Sequence, residues 1–135
     1  MHRPNPNSTE GTHTAALRPD GVILIKLQGR ATSQLLRAWQ SDYLRLGPTP
    51  IWLFDLIDAD GYAPDAVFEA TRVFQALKAS GLEVVIVATR SSAIRMAALA
   101  VRMATGIATG ITILVVENMA DAEREVAVSL SRLNP

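Results

Sequence analysis

The stretch Ile51 to Phe74, IWLFDLIDADGYAPDAVFEATRVF, constrains the fold more than any other part of the chain. Four apolar residues in a row end in Asp55. An acidic turn containing Gly61 follows, and then Pro64 opens an amphipathic segment. A strand that is apolar at every position has both faces covered, which is the mark of a parallel strand between helix layers. A second such run, Val84 to Ala88, and a third, Ile111 to Val116, alternate with helical segments. Strands alternating with helices predict an α/β domain with a mostly parallel sheet, joined by right-handed crossovers. Ligands and partners of open α/β sheets dock at the carboxyl ends of the strands. That rule directs attention to the turn Asp58 to Asp65.

The remaining elements follow from local signals. Residues 1 to 12 are rich in Pro, Asn, Ser, Thr and Gly and read as a disordered tail; residues 13 to 135 form the domain. Thr14 to Leu17 reads as a short edge strand. Asp20-Gly21 predicts a type I′ hairpin turn into a second strand, Val22 to Leu27, ended by Gly29. Ser33 is the expected N-cap of a helix whose face is Leu36, Trp39, Tyr43 and Leu46, and Gly47-Pro48 stops it. A second helix is predicted from about Pro64, with Val67, Ala70, Phe74 and Leu77 on its buried face. Ser91 or Ser92 caps a third helix running to about Thr105. Asp121 to Leu133 forms a fourth. The fold class is thus α/β, with a mixed, mostly parallel five-stranded sheet, an N-terminal hairpin and four helices.

Composition narrows the function. Lys+Arg and Asp+Glu both number 13, so the formal net charge is zero and nucleic-acid binding, which favours a basic excess, is not expected. Neutrality also removes one barrier to self-association. With no cysteine, thiol catalysis and thiolate metal sites are excluded, and a reducing cytoplasm fits. No apolar run reaches the ~18 residues that span a bilayer. The opening MHRPNPNSTEGTH lacks the apolar core of a signal peptide.

Taken together, the glycine-terminated IKLQGR, the strand WLFDL ending in Asp-Leu, the loop that opens a helix, and the strand LEVVIVA resemble the STAS superfamily, the anti-sigma-factor-antagonist fold. Gly61-Tyr62-Ala63-Pro64-Asp65-Ala66 and the small-residue-rich helix Ile94 to Ala104 are similar to its SpoIIAA-like branch. The resemblance covers residues 14 to 133. It implies a non-enzymatic regulatory module that engages a protein partner through the rim residues Asp58, Asp60, Gly61, Tyr62 and Asp65. Phosphorylatable members carry a serine at this helix opening. Here Asp58 to Pro64 contains neither serine nor threonine, so a switch at that position is not available. Two readings of Asp60 and Asp65 stay open: a fixed imitation of phosphate charge, or turn solvation with support of the helix dipole.

Asp55, Asp58 and Asp60 offer oxygen ligands for a hard cation, and Asp58-Ala59-Asp60-Gly61 resembles a phosphohydrolase loop. The later strand ends, Thr89-Arg90-Ser91-Ser92 and Glu117-Asn118, supply neither the lysine nor the carboxylate pair such enzymes need. No metal or cofactor is therefore expected, and a metal-dependent phosphohydrolase is the weakest reading. Arg90, Ser91 and Ser92 form an anion or phosphate contact at a helix N-terminus, an alternative phosphorylation site at Ser91 or Ser92, or a plain cap with a solvated arginine. His2 and His13, in or beside the tail, provide no positioned imidazole. Trp39 and Trp52 are core candidates. The third helix is apolar nearly all round. Met96, Leu99 and Met103 predict a homodimer surface or the border of a pocket for a small apolar or lipid-like ligand, set against complete coverage by neighbouring elements.

Overall fold

A computed structural model describes residues 11–133. The elements run β1 (Thr12–Leu17), β2 (Ile23–Ala31), α1 (Ser33–Leu46), β3 (Ile51–Asp55), β4 (Ala59–Tyr62), α2 (Ala66–Lys78), β5 (Val84–Ala88), α3 (Ser92–Thr109), β6 (Thr112–Val116) and α4 (Met119–Leu133). The main sheet has the order β1-β2-β3-β5-β6, with β4 alongside β2. Only β1 is antiparallel to its neighbour.

Side-chain alternation divides the core into two layers. Ile23, Ile25 and Leu27 of β2, Trp52 and Phe54 of β3, and Val85 and Val87 of β5 face α1, α2 and α3. Ile51, Leu53, Ile86 and Ala88 face α4, where Ala122 and Val126 cover them. Because β3 and β5 are covered on both sides, their buried positions are apolar without alternation; only Asp55, at the end of β3, is polar. The first layer is centred on aromatic rings: Trp52 lies 4.6 Å from Phe54 and 5.2 Å from Tyr43 between centroids, and Trp39 lies 5.3 Å from Phe54. Such pairs add about 0.5–1.5 kcal/mol each beyond their buried area.

The structure departs from the expected elements in several places. First, the sheet has six strands. β2 does not stop at Gly29. It continues to Ala31 through a register shift at Gly29/Arg30, with Gly29 at φ +91°. The nine-residue β2 outruns the five-residue β3 and leaves an unpaired edge, which Ala59–Tyr62 fills. Second, the hairpin is not a type I′ turn, because Gly21 alone has positive φ, +86°. Gly21 N–H donates to Arg18 O, and Arg18 N–H to Val22 O, the pattern of a three-residue loop whose Pro19 fixes a negative φ. Third, α3 runs four residues beyond Thr105 and ends at Gly110, whose φ of +76° forms the cap. Fourth, β1 starts at Thr12, so His13 belongs to the sheet. The rest of the expected tail, residues 1 to 10, lies outside the described residues. The N-cap of α1 is Thr32, one residue before the expected Ser33, and its side chain accepts from Leu35 N–H. The cap of α2 is Asp65, just after Pro64.

Candidate functional site

The turn after β3 is built by backbone hydrogen bonds. Leu56 N–H donates to Ala88 O at 2.9 Å, and Ala59 N–H turns back to Leu56 O at 3.1 Å. Asp55 helps hold this corner: its Oδ1 accepts from Ile57 N–H at 3.2 Å. The chain then runs beside β2. Gly29 N–H donates to Asp58 O, and Ala63 N–H to Ala31 O at 2.7 Å. The result is a short strand, at the carboxyl end of the sheet, that leads into α2.

The five expected rim residues do not all face the same way. Asp58, Asp60 and Asp65 are exposed, and none of them forms a side-chain ion pair with a described residue. Asp65 caps α2 by position only, without a side-chain hydrogen bond to the helix. Gly61 is half-buried within β4. Tyr62 is half-buried as well and lines a partly open apolar pocket. Three residues after Asp65, in the first turn of α2, Phe68 is 84% exposed. The sequence reading missed it, although a signal was present. The buried face is Val67, Ala70, Phe74 and Leu77, and Phe68 lies about 100° away among Thr71, Arg72 and Gln75. An aromatic residue on a polar stripe has no place in the core. Glu69 beside it is tied down: the Arg72 guanidinium at 2.6 Å holds its carboxyl below the usual range, against partial desolvation.

The second expected contact, after β5, is mostly accounted for by local capping. Thr89 is buried, and its Oγ1 accepts from Ser91 N–H. Ser91 Oγ accepts from Ile94 N–H at 3.2 Å as the N-cap of α3. Arg90 and Ser92 are exposed and border an open hollow with Arg95 and Glu117, which pair at 3.2 Å. The Glu117 carboxylate opposes any anion there.

Asp55, Asp58 and Asp60 do not converge. Among the described residues no group of three His, Asp or Glu side chains could hold one metal ion. His13, expected in or beside the tail, points from β1 to α1, where its ring lies 2.9 Å from Asp42 Oδ2 and edge-on to Trp39.

On α3 the pocket expectation needs correcting. Met96 is 65% exposed and Met103 70%, with Leu99 half-buried between them and Ile107 exposed one turn farther on. None of the three expected residues lines a cavity on the sheet side, because helical geometry turns Ile94, Ala97, Ala98 and Val101 inward instead. That inner face, with Ala66, Val67, Ala70 and Phe74 of α2, borders a partly open apolar pocket of about 80 Å³ over Trp39, Phe54 and Val87. Three buried polar atoms have no hydrogen-bond partner among the described residues: Trp39 Nε1, Trp52 Nε1 and Thr105 Oγ1. A buried donor without an acceptor costs about 1–3 kcal/mol.

With this geometry established, the comparisons with known proteins are informative about architecture. No protein-family model matches the chain, and no curated protein matches it in sequence. Solved structures do match. The anti-sigma factor antagonist SpoIIAA in its unphosphorylated form is 13% identical, with a TM-score of 0.58 over 86% of this chain and 98% of that one. This chain has the SpoIIAA-like fold. An uncharacterised DUF3478-family protein with a SpoIIAA-like fold from Shewanella loihica PV-4 is 16% identical, with a TM-score of 0.57 over 89% of this chain and 96% of that one. An anti-sigma factor antagonist from Mycobacterium paratuberculosis is 18% identical, at 0.57 over 91% and 97%. In the SpoIIAA-like arrangement seen here, β4 and the start of α2 form the carboxyl-end rim. No helix among the described residues is long and apolar enough to cross a membrane.

Proposed function

We propose that this protein is a non-enzymatic regulatory interaction module that binds a protein partner through β4 and the first turns of α2. The observation that supports this most is Phe68, 84% exposed in the first turn of α2, in the same segment that carries the exposed Asp60 and Asp65. A large exposed aromatic in a charged segment is the composition of a binding hot spot rather than of an inert surface. The complementary partner presents an apolar pocket flanked by basic side chains. The solved neighbours titled as anti-sigma factor antagonists agree with a regulatory role. The proposal includes a bacterial, cytoplasmic setting. Asp58 to Pro64 offers no serine or threonine, so partner binding here is not switched by phosphorylation of such a residue in the turn.

The test is affinity capture from the native host with wild type, Phe68→Ser and Asp60→Lys. A protein retained by wild type and lost by both variants is the expected result. Recovery of the same proteins with all three baits would defeat the proposal.

A further inference from the structure

We propose that the outer face of α3 is a docking surface for an acidic amphipathic helix of another protein, whose apolar side chains cover Met96, Leu99, Met103 and Ile107 and whose carboxylates reach Arg102. This surface is separate from the rim formed by β4 and the start of α2, and the inference does not depend on the reading of that rim.

The stripe follows from helical spacing. Met96, Met103 and Ile107 are seven and four residues apart, so they stand in one line along α3, with Leu99 beside it. At 1.5 Å of rise per residue the line is about 16 Å long. Met96 is 65% exposed, Met103 70% and Ile107 90%, while Ile94, Val101 and Thr105 on the opposite side of the helix are buried. A surface helix ordinarily turns a polar face to water. The outward face of α3 is apolar instead, and no described residue covers it. Methionine is unbranched and adapts its shape to a partner, which suits helix recognition.

Charge selects the occupant. From Ser92 to Thr109 the helix carries Arg95 and Arg102 and no acidic residue. Each arginine directly precedes a methionine, so both lie about 100° to the same side of the stripe. Arg95 pairs with Glu117 at 3.2 Å. Arg102 is exposed and forms no ion pair among the described residues. A second copy is a poor match: antiparallel packing of α3 on itself sets arginine flank against arginine flank, with no carboxylate on either helix to answer. An anionic membrane is recognised by clusters of about four to eight basic residues, and on α3 only Arg102 remains outside the pair with Glu117. A protein helix with apolar residues every three or four positions and Glu or Asp along one flank answers both features, the bare stripe and the unpaired cation.

Methionine methyl groups report on the proposal, because the chain has 4 methionines and two of them stand in the stripe. The full chain, carrying ¹³C at these methyls, is titrated with a helical peptide as long as α3 that has leucine at every third or fourth position and glutamate between. The same peptide with lysine in place of glutamate is the control. The Met96 and Met103 signals, assigned by their loss in Met96→Leu and Met103→Leu, should move with the glutamate peptide, and the lysine peptide should bind roughly tenfold more weakly. Arg102→Glu should reverse that order. Equal binding of the two peptides to wild type overturns the proposal, as do methyl signals that stay in place up to the solubility limit of the glutamate peptide. Movement of the same signals on dilution of the protein alone assigns the face to a second copy. Movement with phosphatidylglycerol vesicles but not with the glutamate peptide assigns it to a membrane. Either result also overturns the proposal. The comparison of the two peptides on wild type is decisive even if a variant does not fold.

Discussion

The two sides of the sheet are packed differently. The α4 side is aliphatic and small: Val22, Ile51, Leu53, Ile86, Ala88, Ala122 and Val126 fill it with branched chains and methyl groups. The opposite side carries five buried aromatic rings, the unpartnered indole of Trp39 and the cavity, and it is covered by three helices. Aromatic rings bury large areas but leave gaps that alanines on the overlying helices do not close. One layer is therefore closely filled, and the other keeps a small apolar pocket. The exposed Phe68 and the exposed methionines of α3 also sit on the helices of this second side.

Experiments can break this contrast or sharpen it. The largest effect is expected from Trp52→Ala, which removes the fully buried centre of the aromatic cluster and should cost about 3–5 kcal/mol in urea denaturation. A matched pair comes next. Leu53→Ala, facing α4, should cost near the top of the about 2–5 kcal/mol range, and Leu56→Ala, lining the cavity, near the bottom, because Leu56 already borders empty space. Equal losses would show that the two layers are packed alike. Removing the caps with Thr32→Ala or Ser91→Ala should cost about 1 kcal/mol each, read from the same denaturation curves.

The smallest effect concerns the hairpin. Partial burial pushes the Asp20 carboxyl up, but hydrogen bonds from Arg18 and Val22 N–H outweigh it, and its pKa falls below the usual value. A carboxyl with a depressed folded-state pKa contributes stability that is present above its unfolded pKa and lost as pH falls through the folded one. Asp20→Asn should therefore cost about 0.2–1 kcal/mol near neutral pH, with the difference from wild type fading below about pH 4. A difference that grew on acidification would reverse this assignment.

The sequence revealed those elements whose burial was symmetrical. β3 and β5 are covered on both faces, so their apolar runs were plain, and the helix faces of α1 and α2 followed from spacing. β4 was hidden, because Ala-Asp-Gly-Tyr has little strand preference. It is a strand only because the long β2 offers it an edge, a fact about pairing partners distant in sequence. The end of α3 was misread for a similar reason: Gly106 looks like a stop, yet the helix continues to Gly110. At the site, Asp58, Asp60 and Asp65 were legible as an exposed acidic turn. Tyr62 was not legible as a cavity residue, nor was the cavity, since an alanine on a helix's inner face does not reveal how far that helix stands from the sheet. Phe68 could have been found from its angle on the helical wheel alone.

The pairing of β4 with β2 has one more consequence. Asp60 sits on backbone fastened on both sides, by Gly29 N–H to Asp58 O before it and Ala63 N–H to Ala31 O after it. A segment fastened in this way is pre-organised. On the proposed function, a partner would meet a shape already set, so little conformational entropy would be lost on contact, and association should proceed without a slow ordering step.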